Sequence, residues 1–299
     1  MNVAKGDPCL LVPVIITAGA CGHLQILQQL LAFPMFDAVK KDLRARIWEV
    51  LDAGHIPCCD LLVSTLVDPS NSYEVQNVYD TWLGRAARAG NAPVVEHLLS
   101  HHQFSENAVK MAALGAAKRR GRPEDTLQGF ERLFRLIADP SGAFVSDALE
   151  NAAGSGCIAI VQRMLELEPS PQAMSSAAEL ALTHEHAAVL QLLLDRFTPE
   201  FVRRKMVQVM RYAGMPICRM FLDREHIESR QDLDHALITA LAVVRPDMVQ
   251  LCLQRGAHVR TGNDYAIYLA AVSGRVDVME LLLGAADVDA ECAARYRQQ

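Results

Sequence analysis

The sequence predicts an all-α fold made of repeated helix-turn-helix pairs. Three observations carry that expectation: a segment that recurs along the chain, an apolar series at near-constant interval, and a break inside each repeat. Ala270 to Leu283 reads A-A-V-S-G-R-V-D-V-M-E-L-L-L, and variants of it stand at Ala86 to Leu99, Ala152 to Leu165 and Ala18 to Leu31. Such self-similarity decides architecture before any single residue does, because each unit can bury its apolar face only against its neighbours.

The last apolar residue of each unit gives the register: Leu31, Val63, Leu99, Ile137, Leu165, Leu194, Leu222, Leu253 and Leu283. From 31 to 283 there are eight steps of 28 to 38 residues, averaging 31.5. That interval suits two short helices and a connector.

Within a unit the elements follow in order. The first helix carries small residues, such as Ala86 and Ala87 or Ala270 and Ala271, which let the neighbouring unit approach closely. A glycine then ends it: Gly22, Gly54, Gly90, Gly156 and Gly274. The residue after a helix end often takes positive φ, where a Cβ is penalised. Three positions later stands Pro57, Pro93, Pro216, Asp247 or Asp277. Proline is tolerated only in the first turn, and aspartate suits the N-terminal dipole, so a second helix begins there. Its apolar residues, such as Val278, Met279, Leu282 and Leu283, recur at three- and four-residue spacing and form one buried stripe.

These features resemble the ankyrin repeat family, in which a T-P-L-H-x-A-A opening leads to G-H-x-x-I-V-x-x-L-L and then G-A-D-V-N. Gly22-His23 and Gly54-His55 match the G-H step, and Gly256 to Val259 and Gly284 to Asp289 look like the segment leading into the family's hairpin. The opening is the weakest part: Ala266 and Tyr268 stand at its proline and histidine positions in the last copy, Ala236 and Ile238 in the one before. Glu185, Ala213 and Val244 replace the terminating glycine in copies six to eight. The resemblance implies one ankyrin-like repeat domain over residues 1–299, a solenoid of about nine degenerate units ending near 31, 63, 99, 137, 165, 194, 222, 253 and 283. Residues 284–299 would form a C-terminal cap or tail. The β-hairpins are expected to be short or degenerate, since 28-residue steps leave little room for them.

Composition agrees. Apolar residues make up 51% of the chain, ample for a continuous core, and aromatics only 6%. Net charge is −6 and evenly spread, with 14 basic and 17 acidic side chains in residues 1–150 against 15 and 18 in residues 151–299. Neither nucleic acid nor membrane attraction is indicated by that balance. No stretch reaches the ~18 apolar residues that span a bilayer. Of the eight cysteines, Cys58, Cys59, Cys218 and Cys252 occupy apolar slots of second helices, which reads as reduced core thiols in an intracellular protein. Lys5, the run Leu10 to Thr17 and Ala18-Gly19-Ala20 imitate a signal peptide, but Pro13 interrupts the run and cleavage would cut through the first unit. A cytoplasmic location is expected.

Candidate chemistry is thin. Gly154-Ser155-Gly156-Cys157-Ile158-Ala159 satisfies G-x-G-x-x-A, yet that motif needs a preceding strand, and the residues before it are helical in character. His184-Glu185-His186 and His101-His102 have no companion ligands at metal-site spacing and read as exposed turn residues. No hydrolase, zinc-protease or P-loop motif occurs, so no cofactor, metal or catalytic residue is assigned. Lys118-Arg119-Arg120-Gly121-Arg122 is the concentrated basic run. A short nuclear import signal, a solvated charged loop extended by R-P-E-D-T, and part of a binding patch all stay open for it, the loop being the commonest explanation.

In ankyrin proteins the two residues before the terminating glycine line the concave surface that meets partners. The resemblance places Asp52, Arg88, Arg119, Arg120, Thr183, His184, Arg211 and Tyr212 in those slots. Arginine and tyrosine are enriched at binding hot spots. In the last two copies the slots hold Ala242, Val243, Val272 and Ser273, which look less like a contact surface. The expected function is a non-catalytic scaffold for one or more protein partners, monomeric, acting as a regulatory adaptor or a host-directed effector. An active site assembled across the repeats and nucleic-acid binding through the central arginines are the alternatives.

Overall fold

Small residues and left-handed turns decide where this chain reverses. The computed structural model describes residues 8–118, 123–223 and 230–285, and every regular element among them is an α-helix. The helices group into two units, Met1–Ala173 and Met174–Gln299.

In the first unit the pairs are α1 (Pro8–Ala20) with α2 (Leu24–Leu31), α3 (Phe36–Arg46) and α4 (Trp48–Ala53) with α5 (Ile56–Leu66), and α6 (Ser72–Ala89) with α7 (Ala92–His101). Then come α8 (Glu106–Ala117) with α9 (Pro123–Phe134) and α10 (Gly142–Ser155) with α11 (Ile158–Leu165). First helices pack on first helices, α1 on α4, α4 on α6, α6 on α8 and α8 on α10, while α7, α9 and α11 form a second layer. The core between the layers holds Leu62, Trp82, Leu83, Leu98, Phe130, Leu133 and Leu149, all inaccessible to solvent. Ala112, Ala113, Ala116 and Ala117 are buried on α8, so its backbone comes close to its neighbours.

The second unit holds nearly all of α12 (Pro171–Thr183), then α13 (Ala187–Leu194), α14 (Pro199–Tyr212), α15 (Met215–Leu222), α16 (Arg230–Ala242), α17 (Pro246–Gln254), α18 (Thr261–Ser273) and α19 (Val276–Leu283). Again two layers run in parallel: α14, α16 and α18 in one, α13, α15, α17 and α19 in the other. Leu193, Val209, Cys218, Leu237, Met248 and Leu282 fill the space between them.

The turn inside each pair repeats one backbone shape. Gly22, Gly54, Gly90, Gly156 and Gly274 have φ between 65° and 81°. Without glycine, Glu185 and Val244 still take it, at φ 58° and 55°. An L-residue in that region is strained, a β-branched one most of all. Ala213 escapes: φ −84° and ψ 155° are extended, and Gly214 takes the cap of the next helix. At Gly156 the helix α10 precedes the turn, so the G-x-G-x-x-A segment is helix-turn-helix.

Three expectations are corrected. Pro13 does not interrupt α1; the helix runs through it with the ring exposed, where water can satisfy the carbonyl left without a donor. Ala18 and Gly19 are buried, and a Cβ on Gly19 would stand 2.8 Å from Val50 of α4. The R-P-E-D-T insertion is not a loop from Pro123 onward but the start of α9, since proline at a first helical position gives up no intrahelical bond. No β-hairpin is present among the described residues. Connectors such as 166–170 and 195–198 are too short for two strands and a turn. Arg119 and Arg120 lie outside the described residues, as does the tail from 286 onward.

Candidate protein-interaction surface

Each first helix turns one face to the core and the opposite face to solvent, and the residue two before the turn position lies on the solvent face. In the first unit, Asp52 and Arg88 are both exposed as expected. Asp52 is already engaged: Arg85 of the next pair donates from Nε at 2.7 Å, and the same guanidinium lies 5.5 Å from the Trp48 ring. Arg88 borders a groove of about 450 Å³ between α6 and α8, lined also by Gly84, Arg85, Met111 and Ala112. Met111 is 61% exposed there, an apolar group open to a ligand.

In the second unit Thr183, His184 and Arg211 are exposed, and Tyr212 is 73% exposed at the end of α14. Stepping back along each helix by three and four residues keeps to one face. On α14 that stripe is Arg204, Val207 and Arg211; on α16, His235, Ile238 and Ala242; on α18, Tyr265, Tyr268 and Val272. The tyrosine rings stack with centroids 6.0 Å apart. A Cβ on Gly262 would stand 3.3 Å from Tyr265 Cβ and 3.9 Å from Ile238 Cδ1, so the α16 and α18 stripes adjoin.

The two slots considered in the sequence therefore understate the last copies. Val272 is 66% exposed, Tyr268 59% and Tyr265 46%. Among the described residues six large apolar side chains of the second unit are well exposed, and five of them, including Val207 and Tyr212, stand on α14 and α18. Contiguous exposed apolar groups on one face are what interaction sites look like. The signal for Tyr265 and Tyr268 lay in their helical spacing from Val272, upstream of the slots taken from the family pattern.

A second feature lies along the turns. At three turns the residue after the turn position reaches toward the preceding turn: the His55 ring stands over Gly22, the Asn91 amide over Gly54, and Arg245 Nη1 donates to the Ala213 and Met210 carbonyls at 2.6 and 3.3 Å. These contacts fix one pair on the next and hold the stripes in register.

Burial pushes the thiols of Cys59 and Cys252 up to about 12 and that of Cys218 to about 11, far from a nucleophilic thiolate. Among the described residues no cluster of metal-ligating side chains forms, and no helix is long and apolar enough to cross a membrane. No curated protein matches the chain. Residues 262–293, which include most of α18 and all of α19, match the family model of the ankyrin repeat.

Proposed function

We propose that this chain is a non-catalytic protein-interaction scaffold, an ankyrin-type solenoid of about nine units that meets its partner on the solvent faces of its first helices. The observation that carries the reading is the concentration of exposed apolar side chains on α14 and α18 and of exposed arginines on α14, with most of α18 inside the segment that matches the ankyrin repeat. Arg88, Arg211 and Tyr212 contribute to contact; Asp52 serves the scaffold through Arg85. A cytoplasmic adaptor or effector role follows from this reading.

The test is affinity capture from native cells with the wild-type chain and with an Arg88→Ala, Arg211→Ala, Tyr212→Ala variant. Exposed substitutions of this kind should shift stability by no more than ~0.5 kcal/mol each. Loss of a true hot spot should weaken binding by at least ~2 kcal/mol, about thirtyfold. A variant that melts normally and captures the same partner equally well would move the site elsewhere.

A further inference from the structure

The solvent face of the second unit's first helices has a direction. Arg204 and Arg211 occupy one edge on α14, exposed, and neither meets a carboxylate among the described residues. Among the described residues, Glu179 pairs with Lys205, Asp264 pairs with Arg260, and Asp234 accepts from the His258 backbone N–H. Across Ile238 on α16 the opposite edge is apolar and aromatic, formed by Tyr265, Tyr268 and Val272 on α18. Tyr268 and Val272 remain 59% and 66% exposed, so the fold leaves them open to a partner.

Resting on the protein-interaction reading, we propose that this face binds a short linear segment of a partner protein that is acidic at one end and carries a bulky apolar side chain at the other. Two guanidiniums separated by two helical turns, about 10 Å apart along α14, suit two carboxylates of an extended or helical segment. The tyrosine pair and Val272 offer a flat apolar seat for an aromatic or branched side chain. Two helix spacings of ~8–10 Å separate the edges, which an extended segment covers in about six residues. Two arginines that meet no carboxylate among the described residues, in a chain of net charge −6, give little purchase for a polyanion, whereas charge complementarity over one or two carboxylates needs no more. Binding therefore depends on both edges at once, and a peptide with only acids or only apolar groups binds poorly.

The experiment selects binders from a phage-displayed library of random twelve-residue peptides on the full chain. Enriched peptides are then titrated against wild type, Arg204→Glu/Arg211→Glu and Tyr268→Ser/Val272→Ser, each checked by its melting curve. The expected result is enrichment of Asp and Glu near one end and Leu, Phe or Trp near the other, with at least tenfold weaker binding to each variant. Peptides that lack acidic bias but still need Tyr268 and Val272 would overturn the proposed partner chemistry and leave the interaction surface standing. Peptides indifferent to both variants, or recovery of none, would overturn this face as the site. Arginine-dependent binding of a labelled twenty-residue oligouridylate as tight as that of the selected peptides would overturn the peptide assignment in favour of single-stranded nucleic acid.

Discussion

Arg245 reaches back one turn and donates from Nη1 to the carbonyl oxygen of Ala213 at 2.6 Å, where Ala213 ends α14 in extended rather than left-handed backbone. The same nitrogen lies 3.3 Å from the Met210 carbonyl, so one guanidinium caps the end of α14. Helix C-termini favour such a cation, since their last carbonyls lack donors. Arg245→Met keeps the aliphatic stem and removes the donors. It should cost about 1–2 kcal/mol, since bonds from charged groups are worth ~1.5–3 kcal/mol and this side chain is partly solvated. Denaturant unfolding of the two proteins measures it; equal midpoints and slopes would show that the bond contributes nothing.

Val244 and Glu185 occupy left-handed backbone at φ 55° and 58° without being glycine. Val244→Gly should stabilise by up to ~1 kcal/mol, relief of the strained φ outweighing the added chain entropy. Glu185→Gly should gain somewhat less, because valine is branched at Cβ. Ala213→Gly should destabilise, as Ala213 is extended and buried, so the unfolded chain gains entropy and a buried methyl is lost. Melting temperatures of the three variants give the order, and a gain for Ala213→Gly equal to that of Val244→Gly would contradict the backbone assignment.

Leu193 is fully buried on α13, between layers of the second unit. Leu193→Ala should cost roughly 2–5 kcal/mol through lost burial and a residual cavity. Tyr73 on α6 is 81% exposed, and Tyr73→Ala should stay within ~0.5 kcal/mol. Chemical denaturation separates the two, and similar losses would place Leu193 outside the core.

Burial raises the thiols of Cys59 and Cys252 to about 12 and of Cys218 to about 11, above the ordinary thiol range. A group whose folded pKa is raised keeps its stabilising contribution below the unfolded value and loses it as pH climbs through the folded one. These thiols should resist alkylation at pH 8 in the native chain and react in denaturant, whereas exposed Cys21 reacts in both. Stability should begin to fall above about pH 9, where unfolded thiols ionise, and go on falling toward pH 12. Mass mapping of iodoacetamide adducts reads the first effect. Rapid native alkylation of Cys252 would contradict its burial.

Much of the helical pairing was legible because it is written twice, in apolar spacing and in turn residues. Gly22 to Gly274 announced positive φ by having no Cβ, and Pro57, Pro93 and Pro216 marked helix starts by lacking an N–H. Glu185 and Val244 kept the turn with no such mark, because packing on both sides of a turn can hold a residue against its own preference. Pro13 misled for the opposite reason: its effect depends on whether water can reach the freed carbonyl, which sequence does not state. Of the surface, the slots at Arg211 and Tyr212 were visible from the family pattern. Val272 was visible too but looked less like a contact surface, and Tyr265 and Tyr268 were not visible, since aromatic residues at helical spacing usually point inward and only the neighbours of α18 decide which face is covered.

The proposed protein partner meets the solvent face of the second unit's first helices. Hydroxyl-radical footprinting of the chain, alone and saturated with a partner recovered by capture, tests it at the side chains themselves. Slower oxidation of Tyr212, Tyr265 and Tyr268 is expected in the complex, with the still more exposed Tyr73 and the second-helix Met279 unchanged. Unchanged oxidation of the three tyrosines together with protection of Met279 would contradict it.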